Sequence, residues 1–233
     1  MSAAAQLREY TDRSNAIHQE YLGDPEVLQR YERFVTWQLE YMLPFYEDLR
    51  TTADRVAAVD FVVSDLTGIN ISERDLELAK VVPVMSRMLP AKALDVVATA
   101  MQLNARVLGI NLSICRELYT EISIDTKITD ATYCSACRRA SHLEECLELV
   151  HLTAEIGRSL DDVIRIPMMG LMLRAMRTPA RLTGFGVLQV FLETGYKRFN
   201  ALQDIDRFLD DMTARMTYVF TQIFSAPPQS SSR

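Results

Sequence analysis

The sequence predicts an all-α fold: a single multi-helix bundle of about eight helices with kinked central helices. Apolar residues recur at helical spacing along almost the whole chain. No stretch carries the period-two alternation of a strand or the pattern of a βαβ unit, and the breaks between periodic stretches are short. No shift in composition marks a boundary. Residues 1–225 therefore read as one domain, and the "PPQSSSR" run after Ala226 makes 226–233 a disordered tail.

Each element has its own signal. Residues 2–21 and 25–50 read as two helices parted by "LGDP", with Gly23 stopping the first and Pro25 opening the second. The second carries five aromatics between Phe34 and Leu49, a set read as core with Pro44 bending the helix, or else as a partner-binding groove. A helix over 53–66 stops at Gly68. "SERD" (Ser72 to Asp75) is a capping-box start for a helix that Pro83 kinks, and Pro90 opens one running to about Ile122. Thr129 or Asp130 caps a cysteine-rich helix over 131–156 that ends near Gly157. "SLDD" (Ser159 to Asp162) opens a Met-rich helix and "TPA" (Thr178 to Ala180) another. In the last helix Leu202, Ile205, Leu209, Met212, Met216, Val219 and Ile223 alternate spacings of three and four, with acids and arginines on the other face.

Composition excludes several function classes. A net charge of −6 supplies no positive field for nucleic acid or anionic lipid. "MSAAAQLREYTDR" has no apolar core of a secretory signal, and the longest apolar run, "VIRIPMMGLML", contains Arg165 and is too short to cross a membrane. Four cysteines in such a chain read as reduced thiols in a cytoplasmic protein.

"YCSACRRASHLEECLELVH" (Tyr133 to His151) holds three of the four cysteines and two of the three histidines. On a continuous helix, Cys134, Cys137, His142, Cys146 and His151 point in directions spread around the axis, and Cys134 and His151 stand roughly 25 Å apart along it. They cannot share one ion. Cys134 and Cys137 together supply two ligands where a structural zinc needs four, so metal binding through that pair is an alternative reading and no cofactor is expected. Their place near a helix start would lower their thiol pKa somewhat. The Glu-x-x-His of "ELVH" (Glu148 to His151) occurs once, where a di-iron bundle needs it twice.

Residues 163–192 carry Arg165, Arg174, Arg177 and Arg181 and no acid, read as a solvated face over a core stripe of Met168, Met169, Met172 and Met176. In "GFGVLQVFLETGY" (Gly184 to Tyr196) apolar residues point almost all round, as in a helix buried on most sides. Gln189 and Glu193 form its one polar stripe, beside Gly186. A carboxylate on such a helix is paired, hydrogen-bonded or hydrated. Arg177 or another arginine is its expected partner, and Arg177, Gln189, Glu193 and Asp75 form the candidate ligand-binding set.

Several of these pieces resemble a family of bacterial helical proteins named for an FFLEELY sequence motif: "RD" at 74–75, "PVM" at 83–85, "LP" at 89–90 and "MRTPARLTGFGVLQVFLETGYKRF" at 176–199. The resemblance spans about residues 30–225. "DFVVSDLTG" (Asp60 to Gly68) keeps only the Phe, Leu and Gly pattern of the naming motif. It implies an all-α fold and a bacterial cytoplasmic setting, and brings no activity. The leading expectation is a non-catalytic domain that binds a partner protein, a second copy of itself or a small ligand. The alternative is an enzyme or ligand sensor with a polar site around Gln189 and Glu193.

Overall fold

The computed structural model describes residues 2–65, 71–88 and 91–225, and among them there is no strand. Among the described residues there are eleven α-helical segments where the sequence predicts about eight. The predicted stop at Gly68, the start at Pro90 and the tail over 226–233 lie outside the described residues.

Helix α1 (Ala3–Leu22) starts where the Ser2 hydroxyl accepts from the Ala5 amide and stops at Gly23. The Asp24 carboxylate then accepts from the Glu26 and Val27 amides, and Pro25 takes the first position of α2 (Pro25–Met42). Pro44 does not bend this helix: α2 ends at Met42, and Leu43–Leu49 continue as a 3₁₀ segment with Pro44 in its first turn. The aromatics of this region are core. Phe34 is fully buried, and Trp37 and Tyr41 stack on each other and both stand 5.1 Å from the Tyr133 ring.

Helix α3 (Ala53–Asp60) runs into a π turn, Phe61–Asp65. Helix α4 (Ile71–Met88) continues through Pro83, and α5 (Ala91–Glu121) is the longest element at 31 residues. The capping box read in "SERD" does not form, because α4 already begins at Ile71 and Asp75 is turned into the core.

The predicted cysteine-rich helix is two helices. Helix α6 (Asp130–Ala140), opened by a Thr129–Thr132 capping box, ends at an extended Ser141, and α7 (Leu143–Ile164) starts after His142. Nor does Gly157 end α7. A Cβ there would stand 2.5 Å from Leu209 Cδ2, so the glycine lets α11 (Ile205–Ser225) come close, and "SLDD" lies inside α7 rather than opening a helix. Between α7 and α11 run α8 (Met169–Ala175), α9 (Arg177–Leu182) and α10 (Gly186–Ala201).

Helix α5 is the spine, packed along α1 and against α2, α6 and α7. One core cluster joins α1, α2, α5, α6 and α11 around Tyr21, Tyr31, Phe34 and Tyr133. A second joins α3, α7, α10 and α11 around Phe61, Phe199 and Phe208, and a third joins α1, α4, α5 and α10 through Leu7, Leu78, Leu94 and Leu188.

The close approach at Gly157 is testable against a glycine that has room. Gly157→Val should lower stability by about 1–3 kcal/mol through overpacking against Leu209. Gly186→Ala, where nothing lies within 4 Å of the new methyl, should be neutral or stabilise; urea midpoints of the two variants check the pair.

Candidate functional site

Three of the four predicted site residues come together. Glu193 accepts from Arg177 with both carboxylate oxygens, Nε standing 2.7 Å from each, and the Arg177 Nη2 closes the fork. Gln189 donates through Nε2 to Glu193 Oε1 at 2.8 Å and to the Leu173 carbonyl at 2.6 Å. The clasp thus ties α8, α9 and α10. The Arg177 hydrogen bonds, more than the burial that opposes them, hold the Glu193 carboxyl below its ordinary range.

Asp75 lies elsewhere, in a buried network that brings together α1, α4 and α5. It is fully buried, as is His18. His18 Nε2 donates to Asp75 Oδ2 at 2.9 Å, Asn104 Nδ2 donates to the same oxygen at 2.7 Å, and Arg74 Nε donates to Oδ1 at 2.9 Å. A carboxylate only accepts, so Nε2 carries a proton. In the neutral ring Nδ1 then accepts from the Tyr21 hydroxyl at 2.6 Å. Tyrosine, histidine and aspartate in series is the order of a proton relay, but His18 and Asp75 touch no solvent, and the network fastens helices. Two neighbours on α4 extend the fastening to α10. Arg74 lies over the Phe191 ring at 4.6 Å, and the Glu77 carboxylate accepts from the Val187 and Leu188 amides at 3.3 and 2.7 Å, at the positive end of α10. Sequence reasoning missed His18 and Glu77, since both bond to residues far away in the chain.

The polar stripe of α10 faces inward, and part of its apolar surface faces out. Gln189 is buried, whereas Val190 is 60% exposed. The methionine stripe is likewise outside the core that the sequence assigned to it. Met168, Met172 and Met176 are 72%, 52% and 46% exposed, and Leu171 and Leu182 are exposed with them. Eight of the eleven large hydrophobics exposed among the described residues lie between Ile166 and Leu192. Met168, the most exposed of the three methionines, holds a left-handed backbone (φ 68°), a conformation that a bulky residue adopts at a cost.

The cysteines and histidines diverge. Cys134, Cys137 and Cys146 are buried, His142 and His151 are exposed, and among the described residues no group of three His, Cys, Asp or Glu side chains could hold a metal ion. Burial pushes the Cys137 thiol up to about 12 and raises Cys134 as well, the reverse of the lowering expected near a helix start. Glu148 pairs with Arg106 at 3.0 Å. A cleft of about 410 Å³ opens between α1, α2 and α5, lined in part by Arg30, Cys115 and Tyr119. None of the four predicted site residues lines it. Among the described residues no helix is long and apolar enough to cross a membrane.

Asp75 makes the network pH-dependent. Burial alone would raise its carboxyl, but the donors from His18, Arg74 and Asn104 outweigh it and set it below the ordinary value. A depressed folded value stabilises above the unfolded pKa of about 3.9 and is lost as pH falls through the lower folded one. Urea midpoints from pH 7 to pH 2 should therefore hold down to about 4 and then drop, and Asp75→Asn should flatten that drop. Asp75→Ala should cost about 3–5 kcal/mol at neutral pH, because His18, Arg74 and Asn104 lose the buried acceptor they share.

No curated protein and no solved structure matches the chain. A family model described as a domain of unknown function (DUF8198) matches residues 18–230, from the histidine of the buried network to beyond the end of α11. The chain belongs to that family.

Proposed function

We propose that this chain is a non-catalytic binding domain whose contact surface is the exposed face of α8, α9 and α10, and that the face takes an acidic amphipathic helix of a partner protein. One observation carries the reading: the eight exposed apolar residues between Ile166 and Leu192 fall in a stretch with three arginines and no Asp, Glu or Lys. Large exposed apolar patches mark interaction surfaces. Met and Arg are enriched at interfaces while Lys, Glu and Asp are depleted, and methionine suits a surface that moulds itself to a partner helix.

Charge selects the occupant. A two-fold contact between copies would bring arginine against arginine, whereas an acidic helix would answer Arg174 and Arg181 and bury the methionines. Arg177, Gln189 and Glu193 serve in this reading as the clasp behind the face, and Asp75 as part of the scaffold. The FFLEELY-family resemblance and the bacterial cytoplasmic setting belong to the same proposal.

A displayed library of helical peptides, selected on the purified protein and counter-screened on a Met172→Glu/Leu182→Glu double variant, tests this. The expected winners are amphipathic and acidic, and lose at least about tenfold in affinity on the variant. Met168→Gly should keep or raise stability by about 1 kcal/mol, by relieving the left-handed backbone, while weakening the selected peptides. Winners that are neutral or basic, or that bind the variant equally, would sink the proposal. So would a concentration-dependent dimer that the double variant abolishes, or binding to anionic vesicles in place of peptides.

A further inference from the structure

We infer that the cleft between α1, α2 and α5 binds a small carboxylate with an apolar body, a role independent of the α8–α10 face. Four buried side-chain polar atoms lack a hydrogen-bond partner among the described residues, and three of them gather here: Arg30 Nε, Arg33 Nη1 and the Tyr119 hydroxyl. Arg30 and Tyr119 line the cleft. The Arg30 guanidinium lies over the Tyr119 ring, 5.6 Å from its centroid. Arg33, which does not line the cleft, approaches the Tyr119 hydroxyl as a donor, so that the hydroxyl proton and Arg30 Nε are left without an acceptor. Two of these atoms only donate and the third is able to, so what the group lacks is an acceptor. Buried polar atoms in native proteins are nearly always paired, and donors left without an acceptor at the wall of a cleft call for a ligand.

The surroundings choose the acceptor. Glu20 is neutralised by Arg116, the Asp24 carboxylate is taken by amides of its own helix, and Glu26 holds Arg30 through Nη2. One further negative charge fits among these acids, whereas a doubly charged phosphate would meet their repulsion. Leu112 and Cys115 give the cleft an apolar floor, and burial keeps the Cys115 thiol uncharged by pushing it up to about 12. The volume of about 410 Å³ falls in the range of small-molecule sites. Arg30 covers Tyr119, but its pair with Glu26 is a solvent-exposed i,i+4 contact, weak enough for the guanidinium to swing out and admit the ligand.

Titration of the ¹⁵N-labelled full chain with octanoate, octanol and inorganic phosphate, read at the arginine Nε–H groups and at the Tyr119 and Thr120 amides, tests the inference. Octanoate should give saturable shifts, octanol at least about tenfold weaker binding, and phosphate none. Tyr119→Phe and Arg30→Gln should each weaken octanoate by about fivefold or more with an unchanged thermal midpoint. If either variant fails to fold, the three-ligand comparison on the parent chain decides. An acetylated apolar tripeptide with a free C-terminus, run beside octanoate, tells a chain end from a free acid by which binds more tightly. Equal binding of octanol would show a plain apolar groove and overturn the carboxylate site, as would tighter binding of phosphate or the absence of saturable shifts.

Discussion

The arrangement of this fold depends on one buried carboxylate. Asp75 sits where no water reaches, and its charge is tolerable there only because His18, Arg74 and Asn104 all donate to it. Those donors come from α1, α4 and α5, so satisfying the charge fixes the relative positions of three helices. An apolar contact among the same helices could slide; a carboxylate with three directed donors cannot do so without exposing an unpaired charge. The neighbours of Asp75 on α4 carry the constraint onward, because Arg74 covers Phe191 and Glu77 holds the first amides of α10.

That chain of fixings explains why α10 presents an apolar outer surface. The Glu77 carboxylate anchors the start of α10, Leu188 joins the core shared with α1, α4 and α5, and the Phe61 ring packs where a side chain at Gly195 would stand, 2.9 Å from it. With those contacts set, Gln189 and Glu193 turn toward α8 and α9, and Val190 turns to solvent. The polar stripe is used to hold two short helices in place, which leaves fewer polar groups for the outside. The exposure of Met168, Met172 and Met176 follows, since α8 is seven residues long and has no buried residue of its own.

How much of this was legible varies with the range of the interaction. Helicity, the starts at Pro25 and Thr129 and the stripe of α11 are local matters of spacing and capping, and the sequence carries them. That Glu193 pairs with an arginine was legible too, because a lone carboxylate on an apolar helix demands a partner; which arginine was not, since several lie within reach in the sequence. The break at Ser141 was missed because α7 starts after His142 without a side-chain cap, and the Ser141 hydroxyl turns back to the Cys137 carbonyl of α6. Gly157 was misread because a glycine that stops a helix and one that admits a neighbouring helix look alike until the neighbour is known. The methionine stripe was misread for a related reason. Periodicity reports that a face is apolar, not whether anything in the same chain covers it.

The same reasoning separates fastening from function among the polar groups. Around Asp75 and Glu193 the carboxylate oxygens are taken by donors from inside the chain. The two proposed contact sites lie where such matching fails: where apolar side chains meet water, as on α8 to α10, or where donors lack acceptors, as at Arg30 and Tyr119. His18 and Tyr21 of the network and Glu20 of the cleft all lie in the last two turns of α1, and Tyr21 stacks on Tyr31 of α2 at 4.4 Å. The buried network and the proposed cleft therefore share one helix end and one stacked ring pair.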